Sequence, residues 1–166
     1  IPAGLPPHKE LAENSPDGET RTELLRIAFE GIEKAEIDER ELRREGKSYT
    51  YDTVCELAQE YPSDELYLLM GTDMFLYLPH WYRYQDLLAM VKVGVLDRAE
   101  RSRQEVLSIP AMAEQLKLNC NANIQFVQNR FIDVSSTVAR RMLLFGCGMD
   151  YVPSAVYAEI KRRKLY

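Results

Sequence analysis

Four short groups of residues in this chain have the composition that chemistry needs. Ser48-Tyr49-Thr50-Tyr51-Asp52-Thr53 packs hydroxyls and rings at one helix start, and Gly71-Thr72-Asp73 follows the apolar run Leu66 to Met70. Pro79-His80-Trp81-Tyr82 holds the only tryptophan, and Ser135-Ser136-Thr137 is followed on the next turn by Arg140 and Arg141. An apolar run that delivers polar residues reads as a buried parallel strand, and ligands of open α/β sheets sit beyond the carboxyl ends of strands. Asp73 is then either a helix N-cap or a contact to a ligand hydroxyl such as a ribose. The aromatic cluster is a pocket wall, with Trp81 either in the core or presenting a stacking face. Small hydroxyl residues at a helix start with arginine one turn on make a natural phosphate site; the same pattern also describes a capped helix with two surface arginines. The hydroxyls of Ser48, Thr50 and Thr53 carry the same two readings, cap or contact.

Positioning these groups takes strands alternating with helices. Apolar spacing predicts helices over 19–35, with Thr20 as its cap, over 48–61, over 84–90, and over 103–118 with an interruption near Pro110. A further helix starts in the hydroxyl cluster and closes at Gly146 and Gly148, and a terminal one spans 153–163. Strands are predicted over 66–70, 91–96 and 124–127, with a short exposed one over 35–44. Leu5 to Gly18 is a loop with His8 and Lys9 at its tip, Lys9 being a solvated charge or a ligand contact. The alternation gives an α/β fold with a mainly parallel sheet, in one domain over 1–166.

Bulk properties exclude several classes. A chain of 166 residues buries one real core, and a net charge of −5 excludes a general nucleic-acid surface, so any anionic ligand must find its counter-charges locally. Cys55, Cys120 and Cys147 are odd in number and widely spaced, which indicates neither a disulfide framework nor a zinc site and fits a cytoplasmic protein. No apolar run reaches the roughly 20 residues of a membrane span, and no signal-peptide pattern opens the chain. Ile1-Pro2-Ala3-Gly4 reads as the end of a strand running into a loop.

Pro6-Pro7-His8-Lys9, Ser48 to Thr53, Gly71-Thr72-Asp73, Trp81-Tyr82 and Ser135-Ser136-Thr137-Val138-Ala139-Arg140, in this order, closely resemble bacterial nicotinate-nucleotide adenylyltransferases. The resemblance runs to the terminal Leu165-Tyr166; Ala139 departs from it, standing where the family usually has a branched aliphatic residue. It implies a Rossmann-like parallel sheet flanked by helices, and a reaction in which ATP and nicotinate mononucleotide give nicotinate adenine dinucleotide and pyrophosphate, a step of NAD synthesis, with Mg2+ on the ATP phosphates. It implies further that Trp81 stacks on the pyridine ring, that Thr50 and the backbone around Tyr49 and Tyr82 bind its carboxylate, and that Asp73 contacts a ribose or orients the nucleotide. Ser136, Thr137, Arg140 and Lys9 would hold the ATP phosphates, with Arg98 a weaker candidate; no metal ligands from the protein, no nucleic acid and no membrane are implied.

One departure matters more. The family opens with a strand, a Gly-rich turn and an H-x-G-H or T-x-G-H motif, whereas the two histidines here, His8 and His80, lie in no such motif. The first strand-helix-strand unit, roughly 40 residues, is therefore expected to be missing from this stretch, and with it the principal catalytic histidine. Either this stretch begins partway through a longer enzyme, the reading that the strand-end start at Ile1 favours, or it is a fragment whose exposed edges would aggregate, swap into a homo-oligomer or bind a partner that supplies the strand. Two other readings share these residues: a non-catalytic pyridine-nucleotide-binding or protein-interaction module, and an adenylyltransferase with another acceptor such as phosphopantetheine. The 166-residue chain, assayed alone with ATP, magnesium and nicotinate mononucleotide, is expected to turn over far more slowly than a relative that carries the histidine motif. Equal rates would refute this.

Overall fold

The computed structural model describes residues 1–7, 15–97, 103–129 and 135–166, with the backbone alone over 103–106. Lys9 at its loop tip and Arg98 lie outside the described residues. The chain forms two compact units, one of residues 1–48 with 134–166 and one of residues 49–133.

In the unit of residues 49–133 the predicted alternation is present. Helix α3 (Thr50–Glu60) leads to strand β1 (Leu66–Gly71), and α4 (Thr72–Tyr77), a 3-10 turn (Leu78–His80) and α5 (Tyr84–Met90) lead on to β2 (Val91–Leu96). Helix α6 (Arg103–Cys120) then returns the chain to β3 (Asn123–Val127). The three strands are parallel, in the order β1-β2-β3, with Leu68, Val93 and Ile124 in register. Parallel neighbours need long crossovers, and both are helical.

Successive strand residues point to opposite faces. Leu66, Leu68 and Met70 share one face with Val91, Val93, Val95 and Ile124, and this face packs on Val54, Phe75, Leu78, Leu87, Leu88, Ile109, Ala113 and Leu116. On the other face Tyr67 is 53% exposed and Leu69 is 62% exposed, so β1 is buried on alternate residues although its sequence is apolar throughout. Gly94 in the central strand lets Leu69 lie across it: a Cβ there would stand 2.4 Å from Leu69 Cδ2. Helix α6 runs unbroken through Pro110, contrary to the predicted interruption. Its buried Ile109, Ala113 and Leu116 hold a continuous apolar stripe on the core, which outweighs the one backbone hydrogen bond that proline removes.

The unit of residues 1–48 with 134–166 is helical. It comprises α1 (Gly18–Ala28), α2 (Arg40–Arg43), α7 (Ser136–Leu144) and α8 (Ser154–Arg163). Asp17, rather than Thr20, caps α1: its carboxylate accepts the Thr20 N–H at 2.8 Å, and that bond lowers its pKa. α1 stops at Ala28, seven residues short of the predicted end at Ala35, because Phe29 and Ile32 are exposed and Gly31 and Lys34 take left-handed conformations. The strand predicted over 35–44 is replaced by the short α2, where Asp38 holds both the backbone N–H of Arg40, at 2.9 Å, and its Nε, at 2.5 Å. Leu24, Ile27 and Ala28 of α1 pack with Leu143, Val156 and Ile160. Arg163 of α8 pairs with Glu23 of α1 at 2.5 Å and with Glu159, whose pKa is lowered to about 2 by its hydrogen bonds from Arg162 and Arg163.

The start of the chain is pinned to this helical unit. The Arg21 side chain donates to Ala3 O at 2.9 Å, Leu5 and Lys47 form a parallel bridge, and the Ser48 N–H donates to Leu5 O at 2.9 Å. Gly4 makes that approach possible, since a Cβ there would stand 2.3 Å from the backbone oxygen of Glu41 and 2.8 Å from Ser48 Oγ. Gly4→Ala should therefore destabilise the protein by roughly 1–3 kcal/mol. Gly94→Ala should cost under about 1 kcal/mol, because the exposed end of Leu69 can swing aside. Thermal unfolding of the two variants checks this; equal shifts would contradict the packing described.

Candidate functional site

In the unit of residues 49–133, strand β1 ends at Gly71, which N-caps α4, and Thr72 is buried while Asp73 sits half-buried in the helix's first turn. Asp73 is thus not the cap itself. The chain continues through the 3-10 turn, in which the Trp81 N–H closes on Leu78 O at 2.9 Å. His80 stacks on Tyr77 with centroids 4.6 Å apart, and its Nδ1 lies 3.2 Å from Tyr77 O, which makes that nitrogen the donor. Trp81 is half-buried, with one side packed against the core cluster. An indole anchored on one side by the core is held at little entropic cost and keeps its remaining surface for another ring.

Helix α3 begins beside this loop. Tyr49 is its N-cap residue in an extended conformation, with no side-chain cap. Of the three hydroxyls that could have capped or contacted, Ser48 bonds to Glu41 O at 3.3 Å and Thr53 is turned into the interior, so Thr50 alone remains at the helix start, half-buried. The Tyr49 and Tyr82 rings lie 4.6 Å apart at 41°, and Tyr51 meets Tyr82 edge-on at 6.0 Å. Two sequence-predicted groups more than 30 positions apart, Tyr49-Thr50 and Trp81-Tyr82, are therefore brought into one aromatic cluster.

Arg83 completes it, and nothing in its sequence neighbourhood announced it. Its guanidinium carbon stands 4.2 Å over the Tyr51 ring while Nε pairs with Asp86 at 2.7 Å. The hydrogen bond that Arg83 donates to Asp86 holds the Arg83 pKa above its usual value. The Tyr51 phenol is also raised, by its hydrogen bond with Cys55 and by desolvation, against the pull of Arg83.

At the carboxyl ends of β2 and β3, the Asp97 N–H donates to Asn129 Oδ1 at 2.8 Å and Asn129 Nδ2 donates to Asp97 O at 3.2 Å. This reciprocal pair borders a cleft of about 270 Å3 lined by Val95, Asp97, Phe126, Val127, Gln128 and Asn129. Asn129 carries little signal in the sequence, an amide just beyond a strand end.

In the other unit, Ser135 caps α7 by accepting the Val138 N–H at 3.2 Å, which leaves the exposed Ser136 and Thr137 on the first turn and Arg140 one turn on. Arg140 is half-buried and close enough to act on Tyr166, whose phenol is raised by burial against the pull of Arg140 and Arg21. The predicted phosphate residues Lys9 and Arg98 lie outside the described residues, so Ser136, Thr137 and Arg140 are the described members of that set.

No protein-family model matches the chain. Among curated proteins, a probable nicotinate-nucleotide adenylyltransferase of Listeria innocua is 45% identical over 166 residues, covering 100% of this chain and 79% of that protein. One from Listeria welshimeri is 46% identical over 96 residues, a match spanning 57% of this chain and half of the relative's length, 50%. Among solved structures, Plasmodium falciparum nicotinic acid mononucleotide adenylyltransferase complexed with NaAD matches with a TM-score of 0.62 at 15% identity, over 98% of this chain and 78% of that one, and so shares the fold. Identity of 45% along the whole chain decides the matter: it belongs to the nicotinate-nucleotide adenylyltransferase family.

Proposed function

We propose that this chain serves the transfer of AMP from ATP to nicotinate mononucleotide, giving nicotinate adenine dinucleotide and pyrophosphate in cytoplasmic NAD synthesis. The observation that carries the reading is the aromatic cluster that brings the α3 start to the Trp81-Tyr82 loop, because it assembles a stacking ring and backbone donors within one unit. Trp81 takes the pyridine ring. Thr50 and the backbone at Tyr49 and Tyr82 receive the carboxylate, and Asp73, just past the end of β1, takes a ribose hydroxyl or orients the nucleotide. A carboxylate asks for donors at both oxygens and a carboxamide does not, so this arrangement favours the acid form.

The nucleotide's phosphate oxygen attacks the α-phosphorus of ATP in line. A new P–O bond forms as the bond to the bridging oxygen of pyrophosphate breaks, and the electron pair leaves with pyrophosphate. The protein's work in such a step is positioning and neutralising charge. Magnesium comes with ATP, on the phosphates of the substrate; among the described residues no group of three or more His, Cys, Asp or Glu gathers to hold a metal. Ser136, Thr137 and Arg140 at the start of α7, with Lys9 and Arg98, are assigned to the ATP phosphates. The free cysteines Cys55, Cys120 and Cys147 fit a cytoplasmic setting, and no helix among the described residues is long and apolar enough to cross a membrane.

Calorimetric titration tests the acceptor. Nicotinate mononucleotide should bind more tightly than nicotinamide mononucleotide and far more tightly than phosphopantetheine. Trp81→Ala should weaken nicotinate mononucleotide roughly 10- to 100-fold, the worth of one ring stacked on an aromatic face. Thr50→Val should narrow the gap between acid and amide. Phosphopantetheine binding as tightly as nicotinate mononucleotide, or an unaffected Trp81→Ala variant, would overturn the assignment.

A further inference from the structure

Arg83 takes no part in the contacts assigned above, yet it is the residue on which their geometry turns. Its backbone is left-handed, with φ 51° and ψ 39°, and it is the N-cap residue of α5. A side chain in that conformation costs about 1 kcal/mol and persists only where the surroundings impose it. What holds it is visible: the guanidinium carbon stands over the Tyr51 ring in the first turn of α3, 4.2 Å from the centroid, while Nε donates to Asp86 in the first turn of α5 at 2.7 Å. The adjacent Tyr82 ring is meanwhile fitted between Tyr49 at 4.6 Å and Tyr51 at 6.0 Å. One residue thereby ties the helix start that carries Thr50 to the loop that carries Trp81.

We propose that Arg83 is a positioning residue for nicotinate mononucleotide: through Tyr51 and Asp86 it sets the separation between the Thr50 helix start and the Trp81-Tyr82 loop, and so the fit of an aromatic carboxylate between them. The inference rests on the acceptor assignment made above. It assigns Arg83 no direct contact with the ligand, since its Nε is paired with Asp86 and its guanidinium carbon sits over the Tyr51 ring. A guanidinium does this and an ammonium does not, because the planar fork can stack and pair at once.

The test separates backbone from side chain. Arg83→Asn keeps a residue that tolerates the left-handed region and removes the stack. Arg83→Lys keeps the charge and loses the planar fork, and Tyr51→Leu removes the ring. Binding of nicotinate and nicotinamide mononucleotides is followed by calorimetry and by quenching of Trp81, the chain's single tryptophan. Arg83→Asn should weaken nicotinate mononucleotide by roughly tenfold and reduce the acid-over-amide ratio, with Arg83→Lys rescuing only part. The Arg83→Asn and Tyr51→Leu losses should be non-additive, as for groups acting through one contact. A merely structural role would lower the melting temperature and leave the acid-over-amide ratio unchanged. A wild-type chain that binds neither nucleotide overturns the acceptor assignment, and this inference with it. A wild-type chain that binds, together with additive losses or an unchanged ratio in Arg83→Asn, overturns this inference alone.

Discussion

Parallel pairing of β1 with β2 is the constraint from which the rest of the site follows. Strands that run the same way cannot be joined by a tight turn, so the chain leaving Gly71 must travel back to the amino end of the sheet before Val91 can pair with Leu66. That return is α4, the 3-10 turn and α5, and the Trp81-Tyr82-Arg83 loop is its middle. Asp73 stands at its start, beyond a strand's carboxyl end, where open α/β sheets bind ligands. The register therefore does more than stabilise. It determines where the Trp81-Tyr82 loop emerges.

Burial fixes how firmly that loop is held. Phe75 and Leu78 before it and Leu87 and Leu88 after it are fully buried or nearly so, and they anchor both arms in the core built on Val93 and Val95. Each such side chain is worth roughly 1.5–3 kcal/mol of burial, and the four together outweigh the roughly 1–3 kcal/mol that the left-handed turn at Arg83 costs. The strain is thus carried at the centre of a well-anchored crossover. The same arms seat Trp81 against the core.

Legibility in the sequence followed the physics of each element. The strands at 66, 91 and 124 were readable because continuous apolar runs between polar ends have few other uses, and the observed β1, β2 and β3 begin within one residue of them. The α/β class followed from their alternation with helices. Where local polar bonds decide, the sequence misled: the alternation over 35–44 looked like a strand, but Asp38 bonds twice to Arg40 and winds α2. Pro110 looked like a break because a lost hydrogen bond is visible in sequence and the core stripe of α6 is not. At the site, Tyr49, Thr50, Trp81 and Tyr82 were legible by type and order, and the rings of Tyr49 and Tyr82 do meet. Arg83 was not, since its partners are Tyr51, which only the crossover brings near, and a backbone conformation that no residue type signals.

The disposition of positive charge separates residues that organise the site from those suited to bind an anion. In a chain of net charge −5, several described cations are already engaged by acids: Arg26 with Glu39, Lys92 with Glu65, Arg163 with Glu159 and Glu23, Arg83 with Asp86. An engaged charge is a tether, since recruiting it to a ligand would first break its ion pair. Arg140 differs. It is half-buried on the first turns of α7, and among the described residues its electrostatic neighbour is the neutral phenol of Tyr166, which burial keeps protonated. A guanidinium with no carboxylate to surrender loses least on meeting a phosphate, and partial burial strengthens what it gains. On that ground the arginine proposed to position the acceptor and the arginine proposed for phosphate are chemically different tools, and exchanging either for lysine should damage each for a different reason: Arg83 through its lost contact with the Tyr51 ring, Arg140 through its lost bidentate fork.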